Sequence, residues 1–190
     1  MMQGNLEYLM SSLPYLSFTD AEEERIRVVS LFRKYAGPVS GQQNVLAIFE
    51  GEARKFLSAD AFRILKEIRL EDIHGPAFRN GKNKVLASFA AYANGLKEGV
   101  RQLRLARKGH SEASAHKDPP LPLTPGNPLE EEIQLMKWQW DTLEELSIGH
   151  YADFGALCIY KLKLLLLLRW WGFDWEKGFE KFLAITETKQ

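Results

Sequence analysis

The sequence predicts an all-α protein, a helical bundle of packed antiparallel helices in a single domain over residues 1–190. Three observations carry that prediction. Apolar side chains recur at steps of three and four through most of the chain, the repeat of one helix face. No stretch alternates polar and apolar at every second residue, as a half-buried strand does. The segment 154–173, FGALCIYKLKLLLLLRWWGF, is apolar around nearly its whole circumference, so it must be covered on every side.

That segment is not read as a membrane span. A span needs roughly 20 mostly apolar residues, and each central Lys or Arg costs it about 2.5–3.5 kcal/mol. Lys161 and Lys163 lie near its middle and Arg169 near its end. A core helix of a water-facing protein is expected, with one side open to a partner.

The elements follow in order. Residues 5–18, NLEYLMSSLPYLSF, are apolar but cut by Pro14, which predicts an extended or mixed segment packed on the core. Thr19-Asp20-Ala21-Glu22 has the form of a capping box, starting a helix that runs to about Ala36 and stops at Gly37-Pro38. A short helix is expected over 44–50. Leu57, Ala61, Ile64 and Ile68 share a helical face, so one helix is expected over 53–68.

His74-Gly75-Pro76 is a break, and a long helix is expected over 82–108 with Val85, Phe89, Tyr92, Leu96, Val100 and Leu103 on one stripe. Gly95 and Gly99 weaken it by about 1 kcal/mol each relative to Ala, and their spacing suggests close approach of a second helix. Residues 109–127 hold four prolines and two glycines and predict a mobile, polyproline-like loop. Asn127, Pro128 and Glu130 then form a strong helix start.

Over 128–146 the seam Leu129, Ile133, Met136, Trp140 and Leu143 fits antiparallel helix packing against 154–173. Gly149 separates the two helices and Gly172 ends the second. Asp174 is expected to cap a last helix bearing Trp175, Phe179 and Phe182, giving an up-down-up unit.

Composition excludes several functions. Twenty-five basic and 25 acidic residues cancel, leaving no long-range pull towards nucleic acid or an anionic membrane. Cys158 is the one cysteine, which rules out an internal disulfide and a cysteine metal cluster and fits a reducing cytoplasm. The N-terminus lacks a basic n-region, so no signal peptide is expected. The four histidines form no His-x-x-x-His or Glu-x-x-His pattern, and no glycine-rich phosphate loop occurs. No catalytic, cofactor-binding or metal residues are therefore assigned, no cofactor is expected, and the protein is not read as an enzyme. His150 beside Asp153 reads as a hydrogen-bonded cap, and Cys158 as packing.

Charged and aromatic groups on helical faces remain as candidates. Lys97, Arg101, Arg104 and Lys108 draw a basic stripe, with Arg107 beside them. It is either a docking strip for acidic groups or a solvated face whose cations favour the helix C-terminus. Lys161 and Lys163 lie about 200° apart around a helix, so at least one must snorkel or meet an acid, with Asp153, Glu144 or a partner as candidates. Arg169-Trp170-Trp171 offers a cation and two rings of the kind that anchor interfaces. The candidate protein interface is thus Arg101, Arg104, Lys161, Lys163, Arg169 and Trp170.

Two stretches, YLMSSLPYLSF at 8–18 and the block 127–182, resemble an uncharacterised bacterial family encoded among the genes of V/A-type rotary ATPases. The C-terminal block is also distantly similar to the d-type subunit of V-type ATPases, an all-helical socket between the rotor stalk and the membrane ring. The resemblance implies a non-catalytic subunit or accessory factor. Its partners would be the central stalk, the membrane ring or both, and it would sit peripherally at the cytoplasmic face of the inner membrane through protein contacts. The full-length socket protein repeats a helical lobe three times and this sequence shows no repeat, so a reduced version and an accessory factor both stay open. The alternative is a free-standing helical adaptor or assembly factor unrelated to an ATPase. An enzyme with dispersed carboxylates and histidines is the competing class.

Overall fold

Polar side chains placed just ahead of apolar runs set most of the helix starts. The computed structural model describes residues 5–36, 44–107 and 122–173, and among these it contains eight helices and no strand. They are α1 Leu6–Ser12, α2 Glu22–Ala36, α3 Val45–Arg54, α4 Ala59–Glu67, α5 Pro76–Arg79, α6 Lys84–Arg107, α7 Pro128–Leu146 and α8 Phe154–Trp171. Asn5, Asn44, Ser58, Asn127 and Asp153 each accept a first-turn amide, and Asn83 takes the Leu86 amide at 3.0 Å. Each such bond satisfies one orphan N–H. Asn127 and Glu130 complete a reciprocal box, with Pro128 in the first turn.

The all-α expectation holds, and several boundaries move. The 5–18 segment contains α1 before it turns extended at Leu13. Thr19 does not head α2. Its hydroxyl accepts the Ala21 amide at 3.2 Å, and the helix begins at Glu22. The reason is tertiary, because the carbonyls of this stretch are taken from outside. Tyr160 donates to Pro14 O at 2.8 Å, Arg27 to Tyr15 O at 2.6 Å and Trp171 to Thr19 O at 3.0 Å. Tyr35 donates to Ser12 O. The extended residues are strapped to α2 and α8.

The single helix expected over 53–68 is two. α3 runs on to Arg54, and Ser58 caps a fresh start for α4. The restart rotates the buried face. Leu65 becomes fully buried, while Ile64 is 36% exposed. Gly95 admits no close helix, since a Cβ there would meet nothing within 4 Å. The close approach lies at Gly155 instead, where a Cβ would come within 3.0 Å of Val85 Cγ2 and 2.9 Å of His150 Nδ1. Gly149 carries a φ of +86°, a left-handed turn suited to glycine between α7 and α8.

α8 is the central helix. It touches α1, α4, α6 and α7, and its side chains from Ala156 to Leu167 are mostly buried. The α7 seam packs as expected through Met136, Trp140 and Leu143, all buried, but Leu129 lies at the exposed helix start. Phe18 of the strap packs at a tilt against Trp170 at 4.5 Å and Trp140 at 5.5 Å between ring centroids. The loop expected over 109–127 and the helix expected after Asp174 lie outside the described residues, except for 122–127. There Thr124 and Gln134 exchange hydrogen bonds of 3.0 and 3.1 Å, tying the end of the loop to α7.

Trp140 is 4% exposed and holds both α8 and the strap. Trp140→Ala should lower stability by about 3–5 kcal/mol, read from the denaturant midpoint at constant m-value. An unchanged midpoint would refute this packing.

Candidate functional site

The three cations of α8 all find acids within the chain. Lys161 is 1% exposed, with its ammonium 2.7 Å from Glu50 of α3 and 2.7 Å from the Leu65 carbonyl. That carbonyl lies at the end of α4, where the helix dipole favours a cation. Lys163 pairs with Glu144 at 2.8 Å and lies 5.2 Å from the centre of the Trp140 ring. Arg169 pairs with Glu132 at 2.8 Å.

These positions divide the candidate interface. Lys161 is removed from it, because an enclosed ammonium cannot meet a partner. Lys163, with a side chain 13% exposed, is nearly lost as well. Trp170 spends much of its ring on Phe18 and is half-buried. Arg101, Arg104 and Arg169 stay exposed. Of the acids foreseen for the two lysines, Glu144 is the partner of Lys163, whereas Asp153 is engaged elsewhere. Glu50 gave no sign in the sequence, since it meets Lys161 only through the fold.

Arg101, Arg104 and Arg169 come together around a groove of about 710 Å³ between α6 and α7, above the end of α8. It exists because α6 is buried only through Ala93; beyond that its residues are half-buried or exposed. At the far end α6 and α7 are joined by charge, with Arg107 donating to both oxygens of Glu131 at 3.0 and 2.8 Å. The Arg107 hydrogen bonds hold the Glu131 carboxyl below its ordinary range. The stripe foreseen on α6 therefore forms one wall of this groove as far as Arg107, and Lys108 lies outside the described residues. Leu135, Glu132 and His74 also line it and were not foreseen. They come from elements far apart in sequence, so only the fold assembles them. Lys97 reaches His74 Nε2 at 2.6 Å.

Other polar groups have structural duties. Asp153 caps α8 through the Ala156 amide at 2.8 Å and meets His150 Nδ1 at 2.6 Å. Burial opposes its ionisation, but the Ala156 amide and His150 outweigh that and hold its carboxyl below the usual range. Cys158 is fully buried, and burial pushes its thiol far above the ordinary value, so it is not a thiolate nucleophile. Burial also lowers the pKa of Lys161, with Glu50 acting in the opposite direction. Among the described residues no three His, Cys, Asp or Glu side chains are placed to hold a metal. Among the same residues no helix is long and apolar enough to cross a membrane.

No family model, curated protein or solved structure matches the chain. Among the described residues the geometry is that of a helical scaffold with a charged groove between α6 and α7.

Two outcomes check these assignments. Glu50→Ala, which strands a buried ammonium, should cost about 3–5 kcal/mol, and the Glu50→Ala/Lys161→Met pair should recover much of it. Losses in Glu50→Ala and Lys161→Met that simply add in the double variant would show that the pair is not coupled. Asp153→Ala should cost about 1 kcal/mol at neutral pH through the lost cap. Because the folded carboxyl titrates below its unfolded value, its contribution is full above the unfolded pKa of about 3.9 and fades as pH falls through the lower folded value. The gap between wild type and variant should therefore narrow in acid, measured by denaturation at neutral and low pH.

Proposed function

We propose that this protein is a non-catalytic helical element of a V/A-type rotary ATPase, docking on stalk or ring subunits through the α6–α7 groove. The observation that carries the reading is that groove, with Lys97, Arg101, Arg104 and Arg169 exposed around an apolar floor. A coupling or accessory element needs a stiff body and an open recognition face, and it needs no reaction centre. The paired cations of α8 tie the body together, and the groove along α6 and α7 supplies the face.

The family resemblance gives the partner. It rests on 8–18 and on the block from 127, and these two stretches pack on each other through Phe18, Trp140 and Trp170 and through Tyr160 and Pro14. They behave as one unit, as a shared ancestral core would require. On this reading the protein sits at the cytoplasmic face of the membrane and is held there by protein contacts. A free-standing adaptor would use the same groove for another protein, so the partner's identity separates the two readings.

Tagged protein recovered from native membranes should bring rotary-ATPase subunits with it, and a wash with chelator at low salt should release it without detergent. Arg101→Glu combined with Arg104→Glu should weaken that association by roughly tenfold or more with helicity unchanged, because like charges would meet across the contact. Recovery of only unrelated proteins would overturn the ATPase reading. Retention through alkaline carbonate would overturn peripheral attachment.

A further inference from the structure

The groove between α6 and α7 carries two features that together specify one kind of occupant. Its accessible apolar lining is Leu96 and Val100 of α6 and Leu135 of α7, all half-buried, with Met136 and Leu166 closed beneath them. Its rim presents cations outward. Arg101 has a side chain 60% exposed against 45% for the Glu98 that holds it, and Arg169 has 43% against 30% for Glu132. Each guanidinium has five N–H donors and a carboxylate engages about two of them, so donors remain for a ligand. Glu98 and Glu132 hold Arg101 and Arg169, and Glu71 also lines the groove, so Lys97, Arg101, Arg104 and Arg169 stand against three acids.

We infer that this groove takes an amphipathic helix of a partner protein with acidic side chains flanking its apolar face. The apolar face would lie on Leu96, Val100 and Leu135, with the carboxylates reaching Arg101, Arg104 and Arg169. Grooves between helices receive helices in this way, by anchors at steps of three, four and seven residues. Charge on the rim then selects the partner, and the apolar floor supplies the contact area. A free phosphate would leave the floor uncovered. The inference rests on the reading of this face as a protein-docking surface, and it does not require the partner to be an ATPase.

The test uses the full chain and two synthetic amphipathic helices with the same leucine face, one flanked by glutamates and the other by lysines. Fluorescence anisotropy at low salt should show the glutamate helix binding at least about tenfold tighter, with the preference fading as salt rises. The Arg101→Glu/Arg104→Glu variant should reverse the preference, and Arg101→Gln/Arg104→Gln should fall between. Equal affinity for the two helices, a preference that survives the reversal, or no binding of the glutamate helix would overturn the inference. A cysteine introduced by Leu135→Cys gives a second readout, because buried Cys158 leaves it the reactive thiol among the described residues. It should react readily in the free protein and be protected by the glutamate helix. A thiol as unreactive in the free protein as Cys158 would mean that the chain's own residues 108–121 or 174–190 cover the groove, which also overturns it. Binding of the glutamate helix without any ATPase component in the native pull-down would defeat the ATPase reading alone. ATPase recovery unaffected by the reversal would defeat the groove alone.

Discussion

The structure depends on giving back to one ammonium the hydrogen bonds that it loses from water. Lys161 sits in the middle of the central helix, surrounded by leucines and closed to solvent. An unpaired charge at that depth would cost several kcal/mol. Glu50 and the Leu65 carbonyl at the end of α4 replace the water on its two sides. Both lie in the N-terminal half, roughly a hundred residues away along the chain. The demand of one side chain therefore fixes how α3 and α4 are seated on α8, with a directionality that apolar packing lacks.

The other side of α8 is organised by aromatic groups with polar tips. Tyr160 and Trp171 each bury a ring and use the O–H or N–H to hold a carbonyl of the extended strap. Phe18 completes the arrangement by lying between two tryptophans from different helices. These contacts explain why residues after Leu13 stay extended although a capping sequence follows them. The carbonyls of Pro14, Tyr15 and Thr19 are each taken by a side chain from another helix, which holds the backbone open.

The groove results from a change in what holds α6 to its neighbours. Its first half is packed through Val85, Phe89 and Ala93, with Gly155 of α8 leaving room for the Val85 side chain. Its second half has no buried residue, and the bidentate pair of Arg107 and Glu131 joins its end to α7. Between apolar contact at one end and an ionic tie at the other, a groove opens along α6 and α7. The groove so formed is lined by half-buried Leu96, Val100 and Leu135, with exposed cations of α6 and α8 around it.

Local chemistry in the sequence determined the all-helical class, the starts at Asn127 and Asp153, the stop at Gly172 and the identity of the central helix. Each of these depends on residues within one or two turns of each other, so spacing alone reveals them. The basic stripe was visible for the same reason, since Arg101 and Arg104 belong to a single helix face. The tertiary structure decided what periodicity could not express. It divided the helix expected over 53–68, because a serine cap and a new start fit the core better than one straight rod. It moved the close glycine contact from Gly95 to Gly155, which only the facing helix could specify. Above all it decided which cations are exposed. In sequence, Lys161, Lys163 and Arg169 look alike on an apolar helix, but burial beside Glu50 makes the first structural, while Arg169 at the helix end reaches the groove. A charge pair that closes across a hundred residues leaves no local pattern, and only the packed chain brings its members together.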